Sequence, residues 1–184
     1  TSVHVLSDIA DRVEEMEVRA NEALAAAKRV GSETQRLDTM GLMALKHLCY
    51  GELALARPIL DEVIRSARAI NYQPALVTGL AWRGCLYFFQ TEYKRAIECE
   101  LEAKQLAAKL RDGFLLLTSM FFLGLSKGNL GQVSGAIATL EEAILMAGRN
   151  GDRFWLPRMP NCIGWMHREL QDFASVAAHD LQEP

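Results

Sequence analysis

Residues 114–153 read FLLLTSMFFLGLSKGNLGQVSGAIATLEEAILMAGRNGDR, and their pattern of apolar residues and glycines predicts the fold. Its apolar residues recur at helical spacing on both sides of a Gly-rich break at 128–131, which predicts one helix over 114–129 and a second over 133–149. The apolar stripe of the second helix consists of Ile137, Leu140, Ile144 and Ala147. The stretch therefore predicts two helices joined by a tight turn.

The same pattern recurs along the chain without a gap. Gly84, Gly124 and Gly164 lie 40 residues apart, and Ala44 lies one step earlier. Further columns with this period are Leu53/Tyr93/Val133/Phe173, Ala56/Ala96/Ala136/Val176, Ala27/Ala67/Ala107/Ala147 and Glu22/Glu62/Glu102/Glu142. Several columns in one register indicate an internal repeat of helix pairs. Small residues are expected where two helices pack side by side, because they allow a close approach.

The repeat predicts a single array over residues 1–184. Full pairs occupy 34–73, 74–113 and 114–153, with earlier helices over 34–50, 53–70, 74–89 and 93–110. Residues 5–30 are expected to be the second helix of a preceding pair. Residues 154–184 are expected to be a fourth pair, cut short in its second helix, that starts near Arg158 because Pro160 would remove a backbone hydrogen bond inside the helix. An array that begins and ends within a repeat, with no polar capping helix, is expected to be a piece of a longer array or to cover its ends by self-association.

Composition excludes several classes of protein. The 184 residues are 50% hydrophobic and 23% charged, which is typical of a globular chain. A net charge of -3 gives no basic footprint for nucleic acid. The apolar stretch 114–125 is too short to span a membrane, which takes about 20 residues. The four cysteines form no C-x-x-C pair and are expected to be reduced and mostly packed, as in the cytoplasm.

The residues that most often carry chemistry do not form a catalytic or metal-binding pattern. His47 and His167 lie three repeats apart and are expected to be surface residues. The glycines at 124, 128, 131 and 135 follow a helix and precede no Lys-Ser/Thr, so they do not make a phosphate loop. Glu100 and Lys104 are expected to form an ordinary surface ion pair at i,i+4. We expect no enzyme, no cofactor and no metal.

The repeat resembles the tetratricopeptide (TPR) family. Leu123-Gly124 and Ile163-Gly164 match the Leu-Gly pair of that family, and Tyr87 matches its aromatic position. The second helix is matched by Ala96 with Ala103, and by Ala136 with Leu140 and Ala143. The resemblance covers nearly the whole chain and implies an all-α, right-handed α-solenoid of antiparallel helix pairs.

The chain also departs from the family pattern. The usual Trp position holds Leu80, Met120 and Pro160, and Glu100 takes a position that is normally large and apolar. The closing Pro is missing, and the unit has 40 residues against ~34 in the standard repeat. Such long units look like the arrays of large bacterial signalling proteins, which follow an ATPase-like or cyclase module.

The resemblance implies a binding groove lined by the first helix of each pair. Its candidate residues are Leu45, Leu48, Phe88, Phe121, Leu125, Arg158, Asn161, Trp165 and Arg168. The first five are apolar, and the last four add two arginines, an amide and an indole, which are suited to hold a segment with an apolar part and a carboxylate. The alternative is that the apolar residues only pack against neighbouring helices, and that Arg158 and Arg168 are solvated or paired with Glu169.

The predicted function is non-catalytic. We expect a scaffold for a protein or peptide segment, or for another domain of the parent chain, in the interaction region of a larger bacterial signalling or regulatory protein. Two alternatives stay open: a small-molecule effector groove with aromatic walls, and a structural spacer that self-associates through its ends. Nucleic acid and membrane are not expected partners.

Overall fold

The computed structural model describes residue 15 and residues 18–180, except for the side chains of 169, 170 and 172–180. Every regular element in this range is an α-helix, which confirms the predicted all-α fold of consecutively packed helix pairs. Helix α1 covers residues 18–30, so most of the predicted half repeat 5–30 is described and its first residues lie outside the described range. The Phe173 and Val176 side chains of the repeat columns also lie outside it.

The remaining helices follow the predicted bounds closely. They are α2 (Glu33–Cys49), α3 (Leu53–Ala69), α4 (Gln73–Phe89), α5 (Tyr93–Leu110), α6 (Gly113–Asn129), α7 (Val133–Asn150) and α8 (Met159–Asp180). The chain divides within α4 into two compact units, Thr1–Leu86 and Tyr87–Pro184. No helix of the described range has both the length and the apolar content needed to cross a membrane.

The turns explain why the helices keep their period. Residues with positive φ recur every 20 residues and are Gly31, Gly51, Asn71, Thr91, Arg111, Gly131 and Gly151. The N–H of the next residue donates to the carbonyl oxygen five residues earlier, as from Gln132 to Lys127 at 2.9 Å. This bond is the hallmark of the Schellman motif, which satisfies orphan carbonyls at a helix C-terminus. A left-handed residue at each turn therefore sets the length of every helix up to α7.

In the first unit, small residues bring helices close together. A Cβ on Gly79 would lie 2.8 Å from Ile64 Cγ1, and one on Gly41 would lie 2.9 Å from Thr78 Cγ2. The core includes Leu37, Leu60 and Val63, each 0% exposed. An ion pair between Arg83 Nη1 and Asp61 Oδ1, at 2.6 Å, ties α4 to α3. The unit is thus held by close helix packing and by a bridge at its rim.

In the second unit, α5, α6, α7 and α8 pack in sequence, and α8 also contacts α6. A Cβ on Gly124 would lie 2.7 Å from Leu140 Cγ, which confirms the role of the small column at this position. A Cβ on Gly164 would meet no described atom within 4 Å, so Gly164 has no such role.

The last repeat differs from the prediction. Residues 159–180 form one continuous helix, and the turn expected before Phe173 is absent. Gln171 stands where Gly51, Thr91 and Gly131 take positive φ in the earlier pairs, and it is helical. The segment Glu169-Leu170-Gln171-Asp172 contains no Gly or Asn that favours the left-handed conformation, so nothing ends the helix there.

Candidate aromatic binding surface

The connection between α7 and α8 is longer than the other turns because the helix after it starts late. By the 40-residue period α8 would begin near 153, but it begins at Met159, one residue after the predicted start. The chain turns through 153–158 instead, and Pro157 fits this conformation because it has no N–H to donate and its ring disfavours a helical conformation of the residue before it. Two of these six residues, Phe154 and Trp155, pack against the α6 rings Phe114 and Phe121.

Asp152 holds this connection in place. Its Oδ1 accepts hydrogen bonds from the backbone N–H of Phe154 at 2.9 Å and of Trp155 at 2.6 Å. Asp112 occupies the equivalent position one repeat earlier and caps α6 in the same way, by accepting from Leu115 N at 2.9 Å. The same capping chemistry therefore starts a helix at one position and orients two aromatic side chains at the other.

Eight aromatic rings of the second unit form a continuous set, which we call the aromatic cluster. Its members are Phe88, Phe89, Tyr93, Phe114, Phe121, Phe122, Phe154 and Trp155. The closest ring centroids are 4.8 Å apart, between Phe121 and Trp155 and between Phe154 and Trp155. The contacts are tilted or edge-to-face, and such pairs contribute about 0.5–1.5 kcal/mol each beyond their buried area.

The cluster is buried at its centre and open at its edge. Trp155 and Phe122 are 5% and 7% exposed. Phe89, Phe114 and Phe154 are 53%, 44% and 47% exposed. The buried rings hold the exposed rings in fixed positions, so the apolar surface is organised before any ligand arrives. Preorganised aromatic surface is favourable for binding, because little conformational entropy remains to be lost.

Arg158 completes the edge of the cluster. Its guanidinium carbon lies 3.9 Å from the centroid of the Phe154 ring, and its Nη1 donates to the Phe154 carbonyl oxygen. A cation stacked on an exposed ring adds about 0.5–1 kcal/mol and keeps the remaining guanidinium donors at the surface. The arrangement presents a cation directly beside apolar surface.

The predicted groove residues fall into different environments. Leu48 is 6% exposed and belongs to the core of the first unit, and Leu45 beside it is half-buried. Phe88 and Phe121 belong to the aromatic cluster, where both contact Phe122, at centroid distances of 5.6 and 5.3 Å. The structure thus connects two of the predicted apolar residues through a ring that the sequence did not single out.

The polar end of the predicted groove is exposed. Arg158, Asn161, Trp165 and Arg168 are all exposed, and Arg158 is tied to the cluster through Phe154. Trp165 is 44% exposed and contacts no ring of the described residues. Leu125 is half-buried, and its carbonyl oxygen accepts from Asn129 Nδ2 at 2.9 Å. Phe114 and Phe154 were missed by the sequence analysis, although their spacing of one repeat is a signal that could have found them.

Glu100 behaves differently from its prediction as a surface residue. It is 0% exposed, and neither carboxyl oxygen has a hydrogen-bond partner of good geometry in the described chain. Burial raises the pKa of Glu100 well above its usual range, and the neighbouring Ser119 hydroxyl lowers that pKa in part. The expected pair with Lys104 is wrong: Lys104 Nζ instead lies 3.0 Å from Glu142 Oε2, joining α5 to α7.

The described residues contain no arrangement suited to a metal, since no three His, Cys, Asp or Glu side chains cluster among them. None of the four cysteines, all of which lie in the described range, forms a disulfide bond, and Cys85 and Cys99 are buried. No protein-family model matches the chain, and no curated protein shows significant similarity to it. Fold and surface together define an all-α helix-pair protein whose second unit carries an aromatic cluster built from α4, α5, α6 and the connection between α7 and α8.

Proposed function

We propose that the chain is a non-catalytic scaffold that binds a protein or peptide segment on the aromatic cluster. The observation that carries this proposal is the exposure of Phe89, Phe114 and Phe154 at the edge of a packed set of rings. Rings that only filled a core would be covered, whereas these stand at the surface and are fixed from beneath. Aromatic side chains in this setting are typical of the residues that contribute most to protein interfaces.

The helix-pair architecture and the resemblance of the sequence to TPR arrays support the same proposal. On this basis we further propose that the array is TPR-like, with a right-handed twist, and that it is the interaction region of a larger bacterial signalling or regulatory protein. The absence of a disulfide bond among the four described cysteines supports the proposal of a reducing compartment such as the cytoplasm.

The test is a selection from a displayed library of random linear peptides, followed by affinity measurements with the enriched peptides. We expect the double variant Phe114→Ala/Phe154→Ala to lose at least about thirtyfold in affinity, as expected when anchor residues worth 2 kcal/mol or more are removed. The matched control is Leu145→Ala on α7, because Leu145 is 63% exposed and lies outside the cluster. Equal affinity of the parent and the double variant would contradict the proposal.

Sedimentation across a concentration range accompanies the selection. If the mass equals that of one chain at every concentration, no second copy covers the cluster. A mass that grows with concentration, and that stops growing in the double variant, would favour the self-associating spacer instead.

A further inference from the structure

Charge is distributed unevenly over the second unit. Helix α6 contains no acidic residue, and its one charged side chain is Lys127. Between 149 and 168 the chain has Arg149, Arg153, Arg158 and Arg168, all exposed, against the single acid Asp152. Helix α6 and the connection 151–158, which carry Phe114, Phe121, Phe154 and Trp155, therefore each have a net charge of +1, whereas Glu169 and Asp172 follow Arg168 on α8.

The acid of this connection, Asp152, is engaged with the backbone of the turn. Asp152 Oδ1 accepts from two backbone N–H groups, so its carboxylate serves the turn. The exposed acids of α7 are Glu141 and Glu142, and Glu142 is paired with Lys104 of α5. Arg153 and Arg158 are thus the exposed charged side chains of the connection that carries Phe154 and Trp155, and Asp152 is half-buried there.

We infer that the aromatic cluster selects acidic peptide segments in which a carboxylate lies next to an aromatic or large aliphatic side chain. This inference rests on the proposed function and names the chemistry of the partner. The apolar side chain would pack against Phe114 and Phe154, and the carboxylate would accept hydrogen bonds from Arg158. Because Arg158 is stacked on Phe154, its donors and the apolar surface lie within reach of two neighbouring residues of one peptide.

A peptide fits these observations better than a nucleic acid. Single-stranded nucleic acids bind where bases stack on open ring faces along a basic groove. Here Arg158 covers one face of Phe154, and Trp155 meets that ring edge-to-face at an interplanar angle of 89°.

The experiment reads out the composition of the enriched peptides and the effect of reversing charge. We expect the peptides selected on the parent chain to be rich in Asp and Glu beside Phe, Trp or Leu. Arg158→Ala should weaken the binding of an enriched peptide about ten- to a hundredfold, the loss of one charge-assisted contact. Arg158→Glu should shift a repeated selection away from acidic sequences. Lys109→Ala, which removes an exposed cation on α5, is the matched control and should bind like the parent.

Each result separates this inference from the proposed function. Enriched peptides that are neutral or basic, but still depend on Phe114 and Phe154, would overturn the acidic preference and leave the scaffold in place. Peptides that bind without those two rings would overturn both. An oligothymidine that competes for the cluster as strongly as the enriched peptide would replace the peptide by a nucleic acid.

Discussion

Glu100 offers the sharpest test of the packing described above. It lies on α5 in the repeat column that holds Leu60 and Leu140, and all three side chains are 0% exposed. A carboxyl group in a position built for leucine is costly, because burial disfavours its charged form and leaves its oxygens without partners. We therefore expect Glu100 to make the stability of the second unit depend on pH.

The direction follows from the raised pKa of Glu100. At pH values between the ordinary pKa of glutamate, which applies to the unfolded chain, and the raised pKa of Glu100 in the folded chain, the folded chain holds one proton more than the unfolded chain. The free energy of unfolding then falls by about 1.4 kcal/mol for each unit of rising pH. The stabilisation is complete below the unfolded-state pKa and is lost as the pH rises through the folded-state pKa.

Glu100→Gln removes this titration. The amide keeps the volume of the side chain but has no proton to lose. As the pH rises, the parent should therefore lose about 1.4 kcal/mol of unfolding free energy per pH unit relative to the variant. A constant offset is also expected, because the amide too lacks hydrogen-bond partners and such a group costs about 1–3 kcal/mol. The slope with pH, rather than the offset, is therefore the decisive quantity.

Urea unfolding followed by circular dichroism, at several values between about pH 4.5 and pH 8, measures this slope. Glu98→Gln is the matched control, because Glu98 is exposed on the same helix. If the unfolding free energies of the parent and Glu100→Gln differ by the same amount at every pH, the reasoning is refuted, because Glu100 would then have the same pKa in the folded and the unfolded chain. Glu100→Leu adds a second check: it restores the residue of the column and should be more stable than the parent at neutral pH.

Three further predictions concern the glycines and the turns. Gly124→Ala should lower the free energy of unfolding by about 1–3 kcal/mol, because the new Cβ would lie 2.7 Å from Leu140 Cγ. Gly164→Ala should raise the free energy of unfolding by about 0.5–1 kcal/mol, because its Cβ would meet no described atom within 4 Å. Urea unfolding of the two variants and the parent measures both changes. Thr91→Gly should raise the thermal midpoint, since Thr91 has φ of 60° and a β-branched residue is strained there by about 1–2 kcal/mol; an unchanged or lower midpoint would contradict this. Asp152→Ala removes the acceptor of two backbone N–H groups and should destabilise the chain by about 1–2 kcal/mol, as measured by urea unfolding. A loss below a few tenths of a kcal/mol would show that the turn is stable without these hydrogen bonds.

The helix bounds could be predicted from the sequence because the turn chemistry is local. Gly51, Gly131 and Gly151 mark three of the turns, and the repeat places the others even where Thr91 and Arg111 replace glycine. Each left-handed residue forms its hydrogen bonds within six residues of chain, so the signal does not depend on tertiary contacts. This explains why the structure and the prediction agree to about one residue from α2 to α7.

The burial of Glu100 could not be predicted from helical spacing alone. The i,i+4 relation to Lys104 describes only one helix surface, whereas burial depends on which other helices cover that surface. The repeat column with Leu60 and Leu140 was the stronger signal, because every member of a column occupies the same place in the packing. Where a local pairing rule and a repeat column disagree, the column describes the tertiary environment and should decide.

The aromatic cluster lies where the repeat is broken, whereas Glu100 follows its repeat column. Phe114 lies in the first turn of α6, and Phe154 stands one repeat later, but α8 begins only at Met159, which leaves Phe154 in a turn. The two rings therefore lie 5.9 Å apart on different elements, with Arg158 stacked beside them. A regular repeat would have placed residues 154–158 in a first helical turn like that of α6. The candidate binding surface thus arises where the chain departs from its own period, and substitutions that restore a regular helix there, such as Pro157→Ala with Pro160→Ala, are expected to weaken peptide binding while keeping the helical content.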